Sequence, residues 1–596
     1  MMATLQRAAG LLQAGQVGAA IGLLDQVLAD HPEQADALLL RAMARSRAGE
    51  DDAATADFEA AARCHPKTHL VDNNRGNHHR RAGRLSAAVE AYEAALVRAP
   101  DYLDARMNLA LSLAAMAAFE PAEAALDAVL VQQPGHAGAL NELGNLKRRQ
   151  GDLAAAEDAF DRAIAGDANA PFPLINRGSL LRELGRLDAS RVDLEAACRL
   201  VPGLAEAHAQ LAHTLRTQRD VTGAELAYRR ALALAPLDPG HHADLASLLS
   251  EAGRGPSALA TLENAAATSG DARLHEVLAR ALLRSGRPAD ARAAAQAALT
   301  RDPASVEAPI LLSELALRSG DAADAVAQAR RAWVSGGPDD WPARHALAEA
   351  LLVSKAWQEV VDLLDTEAPA PHLQKHLALQ SVAWRLADDP RYRQLCDYDR
   401  FARKLKIDTP VGFESLAAFN AALSESIRRL HADGAAPLEQ TLFGGTQSPG
   451  RLWNSDDPVI RALAAALEAL AARYLAELPV DNDHPFLGRN TGRAKLAGAW
   501  SVRLRSGGGH VDHVHPAGWV SASYYVQVPE SVMAGERAGW LRLGVPGLPG
   551  LALPAERYIK PEPGHAIVFP SFFWHGVEAF ESDEVRVTAP FDLLPD

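Results

Sequence analysis

The sequence predicts two architectures in one chain: an all-α array of stacked helix pairs, then a domain of short strands forming a barrel or sandwich. Three observations predict this. At 596 residues the chain is too long for a single core. Proline recurs at a fixed interval through the first part of the chain. Beyond residue 490 helical periodicity gives way to short aromatic and β-branched runs separated by Gly and Pro.

The prolines stand at Pro32, Pro66, Pro100, Pro134, Pro202 and Pro236, 34 residues apart, with Ala168 at the one missing place. That period belongs to tetratricopeptide repeats, helix-turn-helix units whose apolar face is buried only by their neighbours. Interior positions keep the same phase. Ala20, Ala54, Ala88, Ala122 and Ala224 are small enough for close helix approach. Leu24, Phe58, Tyr92, Leu126, Phe160, Leu194 and Tyr228 are the large apolar partners, and Gly76, Gly144 and Gly178 fill a second small site. The period loosens through Gly270, Pro303 and Pro338, giving about ten repeats over residues 1–368.

Another phase of the repeat carries Asn74, Asn108, Glu142, Asn176, Gln210 and Asp244, all able to hydrogen-bond. Stacked along a concave wall, they form a ladder suited to the backbone amides of an extended peptide. The arrangement resembles the asparagine ladder of O-GlcNAc transferase repeat domains. His78-His79-Arg80-Arg81 and His241-His242 read as solvated helix faces, because adjacent histidines point around a helix and not to one point.

Residues 369–440 lose the period and read as a helical connector that opens on the Pro-rich APAPHL. DDPVIRALAAALEALAARYLAELP then has a helix start signal and apolar residues at helical spacing, a helix expected to pack outside a sheet. AWSVRLR, WVSASYYVQV, GWLRLG, HAIVF and EVRVTAPF are the clearest strands of the last domain, 441–596.

The chemistry concentrates in GGGHVDHVHPAGW, which holds His510, Asp512, His513 and His515. His575 follows in FPSFFWHGV and Arg586 in DEVRVTAPFDL. Two close ligand-type residues, a distant His and a following Arg are what a mononuclear non-haem iron site needs: three protein ligands on one face, and a planar fork for a carboxylate. Along a strand, His513 and His515 reach one metal together, and so do His510 and Asp512. The two pairs have opposite parity and cannot share a metal without a bulge or bend, so both pairs stand as candidates.

HVDHVHPAGWVSASYYVQVP, PGHAIVFPSFFWHGVEAF and EVRVTAPFD, with GGTQSPGRL and HPFL, resemble the 2-oxoglutarate/Fe(II) oxygenase domains that follow tetratricopeptide arrays in bacteria. The resemblance covers roughly 440–596. It implies a double-stranded β-helix (cupin-like jelly-roll) barrel with His513, His515 and His575 on iron, and Arg586 on 2-oxoglutarate. Tyr525 resembles a tyrosine that helps hold the co-substrate carboxylate in prolyl hydroxylases. Most of these enzymes use H-x-D or H-x-E, whereas H-x-H gives iron three neutral ligands; the literal H-V-D is His510 and Asp512. The implied activity is Fe(II)- and 2-oxoglutarate-dependent hydroxylation of a protein or peptide held by the repeats. Its rivals are a non-catalytic scaffold and a metal-dependent cupin enzyme that does not use 2-oxoglutarate.

The formal net charge of -15 argues against nucleic acid or an anionic membrane as the main partner. No run reaches the roughly 18 apolar residues of a membrane span, and MMATLQRAAGLLQAG lacks the pattern of a signal peptide. Cys64, Cys198 and Cys396 match no metal or disulfide framework. The expected setting is reducing and cytoplasmic, which suits ferrous iron.

Overall fold

The computed structural model describes residues 1–64, 67–252, 254–431, 441–448 and 452–596. It divides into two compact units, Met1–Thr214 and Leu215–Asp596. Pro66, the end of the connector at 432–440, and Pro449, Gly450 and Arg451 of GGTQSPGRL lie outside the described residues.

The first unit is built of antiparallel helix pairs. Val17–Asp30 follows Met2–Gln13, Leu85–Arg98 follows Thr68–Arg81, and Leu153–Gly166 follows Ala137–Arg149. Pro32, Pro100, Pro134 and Pro202 each stand just beyond the end of a second helix. Proline cannot donate the N–H that another helical turn needs, so the period marks helix ends. The small and large positions meet as the pattern requires. A Cβ on Gly76, Gly144 or Gly178 would strike the side chain of Tyr92, Phe160 or Leu194. Each large residue is fully buried against the glycine of the facing helix.

The second unit carries on with helix pairs as far as Trp341–Val353 and Trp357–Leu363, and helix Ala370–Leu386 follows. Its strands are β1 (Arg403–Lys406), β2 (Leu442–Gln447), β3 (Ala494–Ala499), β4 (Val502–His513) and β5 (Val520–Gln527). Beyond them come β6 (Leu541–Leu543), β7 (Arg557–Ile559), β8 (His565–Pro570), β9 (His575–Val577) and β10 (Arg586–Pro595). All pair antiparallel in the order β1-β8-β5-β10-β4-β9-β6-β7, with β2 on β4 and β3 on β10. The result is the nearly closed, barrel-like sheet of a jelly-roll. Strand β4 belongs to both halves, pairing with β10 at Val502–Leu504 and with β9 at His510 and His513. Helix Pro458–Glu477 packs outside the sheet, as expected, against β1, β3 and helix Leu416–Leu430.

β1 is an addition to the sequence reading. It lies within the stretch taken as a helical connector, yet pairs with β8 along its whole length. Its four residues, RKLK, are too short and too charged to show alternation.

Candidate metal centre

β4 and β9 run antiparallel with His513 opposite His575, so the strand pair itself brings two histidines together from distant sequence. His515 lies just past the end of β4, where its backbone N–H donates to Ser571 O at 3.0 Å. The imidazole nitrogens of His513, His515 and His575 come within 4.8 Å of one another, the one such group of three among the described residues.

Each ring is oriented by a bond at Nδ1. His513 Nδ1–H donates to Val511 O at 2.8 Å and His575 Nδ1–H to Phe573 O at 2.9 Å. His515 Nδ1–H donates to Asp592 Oδ1 at 2.7 Å. Ser521 Oγ donates to the same carboxylate oxygen at 2.7 Å and lies 2.8 Å from Ser571 Oγ. Three Nε2 lone pairs are therefore left facing the common point. Those of His513 and His515 are 3.2 Å apart. Two acceptors held that close repel unless a cation or a proton lies between them.

A proton is disfavoured. Burial pushes the His513 imidazole down to about 4, with His515 adding to the effect, and drives His575 well below its ordinary value. Rings packed nitrogen to nitrogen in this way could hold a metal ion.

The rival pair separates. The register shifts between His510 and His513. This bulge puts the His510 ring on the same side as His513, with centroids 6.2 Å apart, and sends Asp512 elsewhere. Asp512 accepts from Arg542 at 2.9 and 2.6 Å and packs over Gly576. Its carboxylate is thus paired with Arg542 and does not join the group of three histidines. The bulge that parity demanded is present, yet it delivers His510 to the cavity without its acidic partner.

The cavity has a volume of about 210 Å³ and is lined by the three histidines with His510, Thr441, Gln447, Trp500, Tyr525 and Arg586, among others. Arg586 is only 3 % exposed. Its Nη1 donates to Gly539 O at 2.8 Å, and its guanidinium lies over the Tyr525 ring at 5.2 Å. Arg586 Nε and Tyr525 Oη are buried without a hydrogen-bond partner. A buried guanidinium with no carboxylate beside it among the described residues is costly. Burial lowers the Arg586 pKa and raises that of Tyr525, so the phenol stays protonated as a donor.

The comparisons agree with this geometry. Residues 498–592 match the family described as "Putative 2OG-Fe(II) oxygenase". The chain carries an oxygenase-family domain. Residues 5–68, 73–118, 116–171, 175–239 and 243–308 match the tetratricopeptide repeat family. The chain is similar to Pseudomonas aeruginosa PilF at 21% identity, covering 34% of this chain and 93% of that one with a TM-score of 0.30. It is similar to the pilus biogenesis factor PilW at 23%, covering 34% and 94% with a TM-score of 0.31. It is also similar to yeast Tom70 at 15%, covering 66% and 89% with a TM-score of 0.39. No curated protein matches the chain.

Several roles were not visible in sequence. Asp592, Ser521 and Ser571, which fix His515, are remote from the motif and carry no signal of their own. Of the aromatic residues around the motif, Trp500 lines the cavity. Trp519 donates Nε1–H to Phe486 O, Trp574 to Ala378 O, and Phe573 packs on Tyr398, all structural roles. In the array, Asn108 Nδ2 donates to Asn73 Oδ1 at 3.1 Å, and Asn176 Nδ2 to Asn141 Oδ1 at 2.8 Å. Asn74 Nδ2 donates to Leu70 O at 2.8 Å. The amide groups of these three are thus bound within the protein through nitrogen. Gln210 is engaged at both ends, by Glu206 and by Ser179 and Arg182. The two histidine clusters differ from expectation, because His78 and His242 are buried inside helix contacts and are not solvated.

Proposed function

We propose that this chain is an Fe(II)- and 2-oxoglutarate-dependent dioxygenase that hydroxylates a side chain of a protein or peptide held by the repeats. The observation that carries it is one cavity holding three convergent histidines and one buried arginine with no carboxylate beside it among the described residues. Charge balance supports the pairing. A dication on three neutral ligands, with Arg586 and the Asp592 carboxylate nearby, leaves two positive charges to offset, and 2-oxoglutarate is a dianion. His513, His515 and His575 would hold the iron through Nε2. Arg586 and Tyr525 would take the distal carboxylate with the donors that now lack partners.

Bound iron with 2-oxoglutarate and O2 supplies an oxidant able to hydroxylate a C–H bond. The chain's own work is orientation. Asp592 fixes the His515 tautomer and places a negative charge one bond behind the ligands. Trp500 and Phe569 shape the apolar wall and limit water beside the reacting centre. A reducing, cytoplasmic setting fits this chemistry. No described helix is long and apolar enough to cross a membrane.

The test is spectroscopic. Anaerobic Fe(II) with 2-oxoglutarate should give a weak charge-transfer band in the green, and O2 should then yield succinate. A protein that binds iron but gives neither band nor succinate is not this enzyme, and a cupin chemistry without 2-oxoglutarate takes its place. Pull-down with His575→Ala, followed by mass spectrometry for one added oxygen atom, would find the substrate.

A further inference from the structure

The first unit contains a second concave site, remote in sequence from the barrel, formed by helices Ala35–Ala48, Asp51–Cys64, Thr68–Arg81 and Leu103–Ala115. Its volume is about 520 Å³, and its wall includes Ser46, Arg47, Asn74, His78, Arg80, Arg81 and Asn108. No acidic residue lines it, in a chain whose formal net charge is -15. The nearby carboxylates are already committed, Asp51 to Arg84 and Asp57 to Arg41 and Arg45. Arg47 donates to Leu12 O and Arg81 to Ser46 Oγ, both at 2.8 Å, which leaves their charges uncompensated. Arg80 lies beside the Tyr92 hydroxyl.

The hydrogen bonds beneath this wall make it a surface of donors. Arg84 Nη2 can only donate, so His78 Nε2 accepts at 2.8 Å and the ring proton sits on Nδ1. Nδ1–H then donates to Ser46 Oγ at 2.9 Å. With Arg81 donating to the same oxygen, both acceptor positions of Ser46 are filled and its own O–H is left for a ligand. Tyr92 donates to Asn77 Oδ1 at 2.8 Å, which leaves Asn77 Nδ2 as another donor. Asn74 and Asn108 differ. Their Nδ2 groups are used within the protein, and their Oδ1 atoms are left to accept.

We propose that this concavity binds an acidic peptide segment. Side-chain carboxylates would meet Arg47, Arg80, Arg81 and Ser46, and backbone N–H groups would meet Asn74 Oδ1 and Asn108 Oδ1. The acceptors distinguish a peptide from a bare anion, because phosphate at neutral pH has few protons to give and an extended chain offers one N–H per residue. The inference deepens the protein-substrate reading by giving the bound segment its charge, and it rests on that reading only there.

Fluorescence anisotropy with labelled deca-glutamate, on the full chain, tests it. Deca-glutamate should bind, deca-glutamine should not, and added salt should weaken the complex. The double variant Arg47→Gln/Arg80→Gln should bind about tenfold or more weakly, while Arg191→Gln, elsewhere on the array, binds as the parent does. Circular dichroism establishes that each variant is folded, and Arg80→Gln alone, which breaks no Arg47 contact to Leu12, should show part of the loss. Equal affinity in the folded double variant, or equal binding of deca-glutamine, overturns the proposal. Displacement by equimolar inorganic phosphate, or tighter binding of an oligonucleotide of like charge, replaces it with a simple anion site. Absorption of the iron complex should be unchanged in the double variant, so failure at the barrel and failure here read separately.

Discussion

At the residue scale the centre depends on which nitrogen of each imidazole is free. Asp592→Asn removes the charge behind His515 but keeps an acceptor, so metal affinity should fall about 10–100-fold with little change in melting temperature. Titration of Fe(II) under argon measures it. The alternative ligand pair makes an opposite prediction. Asp512→Ala should leave the charge-transfer band in place and cost about 1–2 kcal/mol of stability, because Arg542 loses its bidentate partner in a half-buried position. His515→Ala should abolish the band. If Asp512→Ala abolishes it and His515→Ala does not, the ligand assignment is wrong. That the three histidines meet, with Arg586 in the same cavity, was legible because chemistry restricts those residue types and their spacing. The choice between two registers was not, since a bulge is a backbone event that leaves no mark on side-chain alternation.

At the scale of elements, the repeats were legible and the connector was not, for one physical reason. A repeat poses the same packing problem many times, so small and large positions recur in phase and can be counted. Gly144→Ala tests the reading. The new methyl must displace the fully buried Phe160 ring, with an expected loss of about 1–3 kcal/mol by denaturant titration. A neutral outcome would mean that the helices can separate there. β1 poses its packing problem once, in four residues, and takes its structure from β8. The polar phase of the repeat was legible. Its bonding was not, because an asparagine amide that ties neighbouring repeats together looks the same in sequence as one that faces a ligand.

At the scale of the molecule, two conditions should move stability. If iron is held by the folded site and not by the unfolded chain, anaerobic Fe(II) should raise the melting temperature and a chelator should reverse it. His513→Ala/His575→Ala should show no such shift. Acid should act on the buried histidines of the centre and also elsewhere in the second unit, where Trp341, His345, His372 and His376 form an aromatic cluster. Burial holds His345 down to about 3, with His376 adding to the effect, and holds His376 down to about 4. An unfolded histidine titrates near 6.5. The unfolded chain therefore takes up protons that the folded chain refuses, and this stability is full above about pH 6.5 and lost as pH falls towards the folded values. The loss approaches about 1.4 kcal/mol per histidine per pH unit. His345→Phe should flatten the fall in melting temperature between pH 7 and 5, and an unchanged slope would place the acid sensitivity elsewhere.

The Trp574 indole, next to His575, donates to Ala378 O at 3.1 Å in helix Ala370–Leu386. Arg385 of that helix donates to Gly544 O at 2.6 Å, and β1 closes the sheet from within the connector. The oxygenase-family match spans 498–592, but the barrel is not portable at that size. Cut at 441, it would lose an edge strand and expose the tryptophan beside His575. Expression of the domain should therefore begin no later than residue 370. For the same reason, recombination that exchanged the repeats in front of this barrel would have had to carry the last helix along with it.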